Sequence, residues 1–256
     1  MLFDTHAHYD DEQFDGDRDT LLASMIQNGI ALIVNASSTL ESSKKGLELA
    51  EKYPFIYAAV GVHPHDANAM DDTTVAALET LLRQPKAVAV GEIGLDYHYD
   101  HSPRDIQQKR FREQLELAES VNLPVVIHER EASKDVLDII GDFPRVHGVF
   151  HCFSGSWETA KILLDKGWYL SFTGVVTFKN ARRSHEVILK MPRDRLMIET
   201  DCPYLAPEPM RGRRNSSLNL RYTAEKVGAL LGISGEEAGL LTMENGKRFF
   251  GIQTAG

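Results

Sequence analysis

Three stretches far apart in the chain each place metal-ligand side chains at the end of an apolar run: His6-Ala7-His8, Gly91-Glu92-Ile93-Gly94 and Glu199-Thr200-Asp201. In a strand, residues two apart project to the same face, so His6 and His8 can reach one metal ion together. His63, His128 and His151 close three further apolar runs. A lone histidine at such a place is usually a hydrogen-bonded structural residue, because imidazole satisfies buried partners easily. Several histidines and two carboxylates converging on one site read differently, since so many buried ionisable groups without a cation would be expensive. A site assembled from strand ends in this way is the pattern of a metallohydrolase.

Imidazole nitrogen combined with carboxylate oxygen suits Zn²⁺, Mn²⁺ or Fe²⁺, with Mg²⁺ where oxygen and water dominate. Two divalent ions fit the donor set better than one. His6, His8 and Asp201 would hold the first, His128 and His151 the second, and Glu92 would bridge them. Ions about 3.5–4 Å apart lower the pKa of a shared water and neutralise charge on attacking and leaving oxygens. Asp201 is the candidate base for that water. Glu199, two residues earlier on the same inward face and one layer deeper, would orient a ligand or the base. His63 fits neither set: it either donates a proton or hydrogen bond to a phosphoryl oxygen or fixes the neighbouring loop. No role is assigned to His65, His98, His101, His147 or His185.

Short apolar runs must carry these groups. They span Leu2–His6, Ala31–Ala36, Ile56–Val62, Ala87–Ile93, Pro124–His128, Gly148–Cys152, Tyr169–Val175 and Leu196–Asp201, which is eight predicted strands. Between them lie amphipathic stretches such as Ser102–Asn122, where Ile106, Phe111, Leu115, Leu117 and Ala118 fall near a 3.6-residue period. Strand and helix alternating eight times, without a long linker, predict an α/β fold of the (β/α)₈ TIM-barrel kind, whose active sites sit at the C-terminal strand ends. Extra C-terminal helices are expected from the capping box Ser234-Gly235-Glu236-Glu237 and from Thr242–Phe250. The whole chain, 1–256, is read as a single domain.

The net charge of −9 speaks against a broad nucleic-acid-binding surface. A local site can still invert that sum: Arg211, Arg213 and Arg214 face only Glu208 in their loop, and Lys179, Arg182 and Arg183 form a second cluster, although solvated surface charge explains such runs equally well. The chain opens on an apolar strand with no basic and apolar leader, and holds no run of about 18 apolar residues, so a cytoplasmic protein without membrane association is expected. The two cysteines, Cys152 and Cys202, each follow a candidate ligand by one position. Alternation turns them away from the metal, as small buried fillers rather than ligands.

Taken in order, Phe3-Asp4-Thr5-His6-Ala7-His8, Gly61-Val62-His63-Pro64-His65, Gly91-Glu92-Ile93-Gly94-Leu95-Asp96-Tyr97, His128-Glu129-Arg130-Glu131-Ala132, His151-Cys152-Phe153-Ser154-Gly155 and Glu199-Thr200-Asp201-Cys202-Pro203-Tyr204 give a specific signature. The chain resembles the TatD family of metal-dependent deoxyribonucleases, within the amidohydrolase-like TIM barrels. That resemblance implies a divalent-metal DNase, often a 3′→5′ exonuclease on single-stranded DNA, with ligands at the positions above. It also implies that Asp96, Arg130, Ser154, Arg213, Arg214 and Asn215 lie on the substrate side or support it. Arg130, just past a ligand, has the fork geometry to hold a phosphate in two hydrogen bonds.

One motif departs from the family. Where its members commonly continue Arg-Asn with Glu-Pro, this chain reads Arg214-Asn215-Ser216-Ser217, which is expected to take a carboxylate and a rigid turn from the rim of the site. The leading expectation is hydrolysis of DNA by a metal-activated water with Asp201 as base, acting on a single strand or 3′ end and needing no obligate protein partner. The alternative is a binuclear-metal hydrolase of a small amide, lactone or phosphoester. A bridging carbamylated lysine, common in relatives of that second kind, has no candidate at the fourth strand, where Glu92 stands instead. A metal-binding scaffold without catalysis would lack the open coordination position of a catalytic site.

Overall fold

A strand buried on both faces can be a continuous apolar run, and the chain uses that option eight times. The computed structural model describes residues 1–253 and shows β1 (Leu2–Ala7), β2 (Ile30–Ala36), β3 (Ile56–Val60), β4 (Ala87–Asp96), β5 (Val125–Arg130), β6 (Gly148–Phe150), β7 (Tyr169–Phe172) and β8 (Leu196–Ile198). The described pairs are parallel, and the strands form one sheet in the order β1 to β8. Ala7 bridges Cys202 in parallel beyond the end of β8, and the fold is a (β/α)₈ TIM barrel.

The connecting helices are α1 (Arg18–Ala23), α2 (Leu40–Lys52), α3 (Asp72–Leu82), α4 (Arg104–Val121), α5 (Ser133–Gly141), α6 (Trp157–Asp165) and α7 (Arg182–Lys190), with α8 (Leu220–Leu231) and α9 (Gly235–Phe250) after the last strand. Side chains close their first turns where the sequence offers an oxygen: Thr39 accepts from the Ser42 N–H, Asp71 from Thr74 and Ser156 from Thr159. No helix among the described residues is long and apolar enough to cross a membrane.

Three expectations change. β3, β6, β7 and β8 stop two to three residues before their predicted ends, where 3₁₀ turns begin at Pro64 and Gly174 and the backbone leaves the extended region at Cys152 and Asp201, with φ of 45° and 58°. The capping box at Ser234 forms, but the helix it starts runs on to Phe250, so no second helix begins at Thr242; that hydroxyl donates inside the helix to the Ala238 carbonyl at 2.9 Å. The other C-terminal helix is α8, which the sequence reading did not find.

The chain divides into two compact units, one of residues 1–35 and 152–256, the other of residues 36–151. In the first, α9 packs on β1. A Cβ at Gly246 would come 2.8 Å from the Phe3 ring, Phe3 and Phe250 rings lie 5.9 Å apart, and Asn245 donates to the Arg193 and Leu196 carbonyls at 2.7 and 2.8 Å. In the second, β4 is buried along its whole length and α4 turns Gln107, Phe111, Gln114 and Ala118 inward. Burying a side chain such as Phe111 contributes about 1.5–3 kcal/mol. The two glutamines do something else: Gln114 bonds both the N–H and the carbonyl of Val62 at 2.8 and 3.0 Å, and Gln107 those of Asp96 at 2.9 and 3.1 Å. One helix face thereby fixes the backbone that presents His63 and Asp96.

Candidate metal centre

In the first unit the backbone beyond β8 is tied to β1. The Asp201 N–H donates to the His6 carbonyl at 2.9 Å, and the His8 N–H to the Cys202 carbonyl at 2.8 Å. These bonds hold Asp201 in a left-handed conformation that costs a non-glycine residue about 1–3 kcal/mol. Its carboxylate gains a position beside the histidines: Oδ1 lies 3.2 Å from His8 Nε2 and 3.6 Å from His6 Nε2, and the two Nε2 atoms are 3.1 Å apart. Donor atoms bound at about 2.0–2.2 Å to one tetrahedral ion stand roughly 3.4 Å from each other, so the set has the chemistry and spacing for a divalent cation.

β8 ends at Ile198, before Glu199, yet Glu199 still stands with the donor set: a carboxylate oxygen lies within 4.8 Å of a His6 ring nitrogen. Glu199 is buried and accepts the Cys152 N–H at 2.6 Å, which secures the turn following His151. Cys202 is fully buried, as a filler should be, whereas Cys152 is only half-buried, with Sγ 3.6 Å from the Thr173 hydroxyl.

In the second unit, Glu92 Oε1 lies 2.8 Å from His128 Nδ1, 2.8 Å from His151 Nε2 and 3.5 Å from His63 Nε2, while His128 Nδ1 and His151 Nε2 are 3.4 Å apart. This is again an imidazole and carboxylate set at the spacing of ligands on one ion. The far nitrogen of His128, Nε2, lies 3.1 Å from Asp96 Oδ2, the arrangement in which a carboxylate fixes the tautomer and orientation of a metal-ligating histidine. Burial alone would lower the His128 pKa, but hydrogen bonds with Asp96 and Glu92 raise it. Burial would raise Asp96, yet His128, the Tyr99 N–H and His65 hold its carboxyl well below the ordinary carboxylate range.

His63 Nδ1 accepts the His65 N–H at 3.1 Å, leaving Nε2 as the protonated nitrogen, directed at Glu92. Burial depresses this imidazole to about 4, opposed by the Glu92 carboxylate. Gly94 is required where it stands: it pairs with His128 across β4 and β5 at φ of 143°, and a Cβ there would lie far inside contact distance of the His128 carbonyl oxygen.

The residues that the resemblance put on the substrate side are distributed unevenly. Arg130 and Ser154 are exposed, and the Arg130 guanidinium lies over the Tyr99 ring at 4.7 Å. Asp96 is buried and accepts from the His98 and Tyr99 N–H groups at 3.0 and 2.8 Å, which makes it a brace for the turn after β4. Asn215 is buried and donates to the Thr200 and Tyr204 carbonyls at 3.0 and 2.8 Å. Arg214 forms a two-pronged pair with Asp17 at 2.9 and 2.6 Å and lies over the Phe14 ring, and Arg213 is exposed.

Ser217 was expected at the rim and is fully buried instead. Its hydroxyl donates to Asp4 Oδ2 at 2.6 Å and accepts from the Tyr9 hydroxyl at 2.9 Å, and Asp4 also receives the N–H and hydroxyl of Thr200. Burial pushes the Asp4 carboxyl up to about 6 against those hydrogen bonds.

Sequence reasoning missed His65, whose Nε2 lies 2.9 Å from Asp96 Oδ2, together with Gln107 and Gln114. The His63-Pro64-His65 spacing was the available signal for the first. The 3.6-residue period, extended to polar residues on the apolar face of α4, was the signal for the glutamines.

Residues 3–251 match the protein family described as TatD related DNase. The YabD protein of Bacillus subtilis, named an uncharacterized metal-dependent hydrolase, is 45% identical over 254 residues, 98% of this chain and 100% of that protein. The Citrobacter koseri protein named 3′-5′ ssDNA/RNA exonuclease TatD is 31% identical, with 98% and 99% covered. Among solved structures, YJJV, a TatD homologue from Escherichia coli K12, superposes with a TM-score of 0.91 at 31% identity over 98% of each chain.

Proposed function

The chain belongs to the TatD related DNase family and is a metal-dependent hydrolase, and from that premise we propose that it hydrolyses phosphodiester bonds of DNA, shortening a single strand from its 3′ end. The observation that carries the proposal is the presence of two donor sets at ligand spacing: His6, His8 and Asp201, and Glu92, His128 and His151. Each is read as a set that would hold one divalent ion, Mg²⁺, Mn²⁺ or Zn²⁺. Relatives named 3′-5′ ssDNA/RNA exonucleases support the choice of substrate.

When bound, such ions lower the pKa of a water and neutralise charge on the attacking and leaving oxygens. The protein's own groups supply the rest. Asp201 accepts the proton of the attacking water. His63, whose Nδ1 is occupied by the His65 N–H, offers its Nε2–H to a phosphoryl oxygen. Arg130, Ser154 and Arg213 are exposed and are assigned to the strand; Asp96 braces the turn after β4, and Arg214 and Asn215 hold the loop that carries Arg213. A nuclease that engages only an end needs few phosphate contacts, which reconciles the substrate with a net charge of −9.

A test of the end-directed reading sets a linear 5′-labelled oligonucleotide against circular single-stranded DNA, both with added Mn²⁺. A ladder shortening from the 3′ end with the circle intact is expected. Nicking of the circle would overturn the exonuclease reading, and an intact linear strand beside hydrolysis of a small phosphoester or lactone would favour the small-molecule alternative.

A further inference from the structure

The turn after β4 ends in an aromatic cluster that the metal chemistry leaves unused. His98, Tyr99, Asp100 and His101 are all exposed, and Tyr99 presents 52% of its surface to solvent. An open tyrosine on a loop is ordinarily mobile; this one is held. Asp96 takes the N–H groups of His98 and Tyr99, Arg104 makes three hydrogen bonds to the Asp100 carboxylate at 2.6–3.0 Å, and the same guanidinium lies 4.3 Å from the centroid of Tyr97.

Around the Tyr99 ring stand four groups of matching chemistry, one of them the His98 ring, edge-on at 4.9 Å. The Arg130 guanidinium lies 4.7 Å from its centroid. The His101 ring is nearly parallel to it, at 18° with centroids 5.7 Å apart, an offset stack that leaves much of the face uncovered. The His65 ring meets it edge-on at 5.4 Å. His65 in turn lies 6.2 Å from the ring of His128, one of the candidate ligands, so Tyr99 stands one ring away from the second donor set.

We infer that Tyr99, flanked by Arg130 and His101, is the seat of a nucleobase of the single-stranded substrate, and this rests on the nucleic-acid reading proposed above. Every base has a π-face, so a rigid open aromatic ring holds a strand without reading its sequence, and a guanidinium beside the ring adds cation–π attraction and charge for the phosphate. The seat distinguishes a strand that has bases from a sugar-phosphate chain that lacks them, and from small esters.

The holoenzyme with added Mn²⁺ tests this through KM and kcat for a 5′-labelled oligothymidylate and for the same strand with abasic residues at its 3′ end. Wild-type protein is expected to show a KM about tenfold higher for the abasic strand. Tyr99→Ala is expected to raise KM for the base-bearing strand by about that factor with kcat within about twofold, and to lose the distinction, while Tyr99→Phe keeps it. A Tyr99→Ala protein with wild-type KM on the base-bearing strand, or with equal losses on both strands, overturns the assignment. If wild-type protein cleaves both strands with one KM, the seat is wrong and the nuclease reading stands. If it cleaves neither strand, both fall together. Thermal melts matching wild type show that the variants fold.

Discussion

Ser217 Oγ lies 2.6 Å from Asp4 Oδ2, inside a buried network that ties the arginine-rich loop to the first strand two residues before His6. A proline at this position, as in the commoner family motif, has neither the hydroxyl nor the N–H that Ser217 gives to the Tyr9 hydroxyl at 2.9 Å. At Ser217 the departure from the motif is therefore internal, a bond to Asp4, while Ser216, where the motif has its carboxylate, is half-buried. Ser217→Ala leaves the Asp4 carboxylate with one donor fewer and is expected to cost about 1–3 kcal/mol, lowering Tm by several degrees in a calorimetric scan. An unchanged Tm would show that Asp4 does not depend on this bond.

Asp96 faces His128 on one side and His65 on the other, both through Oδ2. Asp96→Asn is expected to weaken metal affinity by about 10–100-fold, because the ligand loses the group that orients it. Titration of the metal-stripped protein with Zn²⁺ or Mn²⁺ in a calorimeter measures this directly, and an affinity equal to wild type would remove Asp96 from the support of the centre.

Gly94 lets β4 pass the His128 carbonyl at a distance no side chain permits. Gly94→Ala is expected to destabilise the fold by more than about 1 kcal/mol and to lower metal content in the purified protein, since the strand can relieve the clash only by moving a ligand. Wild-type metal content and melting would contradict that coupling.

The first turn of α3 carries a pH signature away from the centre. Hydrogen bonds from the Thr73 hydroxyl and from the backbone and side chain of Thr74 hold the Asp71 carboxyl at about 2, below its ordinary 3.8. A depressed folded-state value means that the cap stabilises the protein above the unfolded value and loses this as pH falls from 3.8 through about 2. Urea titrations of wild type and Asp71→Asn should show a stability difference that is steady above pH 5 and shifts toward pH 2. A difference flat across that range would mean that the charge is not what the cap uses.

The eight strands were legible because each is a buried apolar run, and the candidate ligands because histidines and carboxylates fell at their ends. What hid from the sequence lies where the backbone leaves a regular period. Alternation placed Glu199 on the face of the donor set, where its carboxylate lies within 4.8 Å of a His6 nitrogen, but only the folded chain shows the left-handed turn at Asp201 and the Cys152 N–H that Glu199 accepts. Thr242–Phe250 reads as a helix of its own in the sequence, but the Thr242 hydroxyl bonds back within α9, so the helix needs no break. Gln107 and Gln114 occupy apolar-face positions of α4 and read as ordinary surface polarity, since only the folded chain shows the backbone groups they satisfy. Asn215 and Ser217 sit in a loop whose basic composition suggested solvent, yet both are fully buried.

The most direct measurement is hydrolysis of end-labelled single-stranded DNA by metal-stripped protein before and after addition of Mg²⁺, Mn²⁺ or Zn²⁺, with Asp201→Asn carried in parallel. Metal-dependent shortening from the 3′ end, reduced by about 10²–10⁴-fold in Asp201→Asn, is the expected result. Cleavage that persists without metal, or an Asp201→Asn protein as active as wild type, would contradict a metal-dependent nuclease with Asp201 as its base.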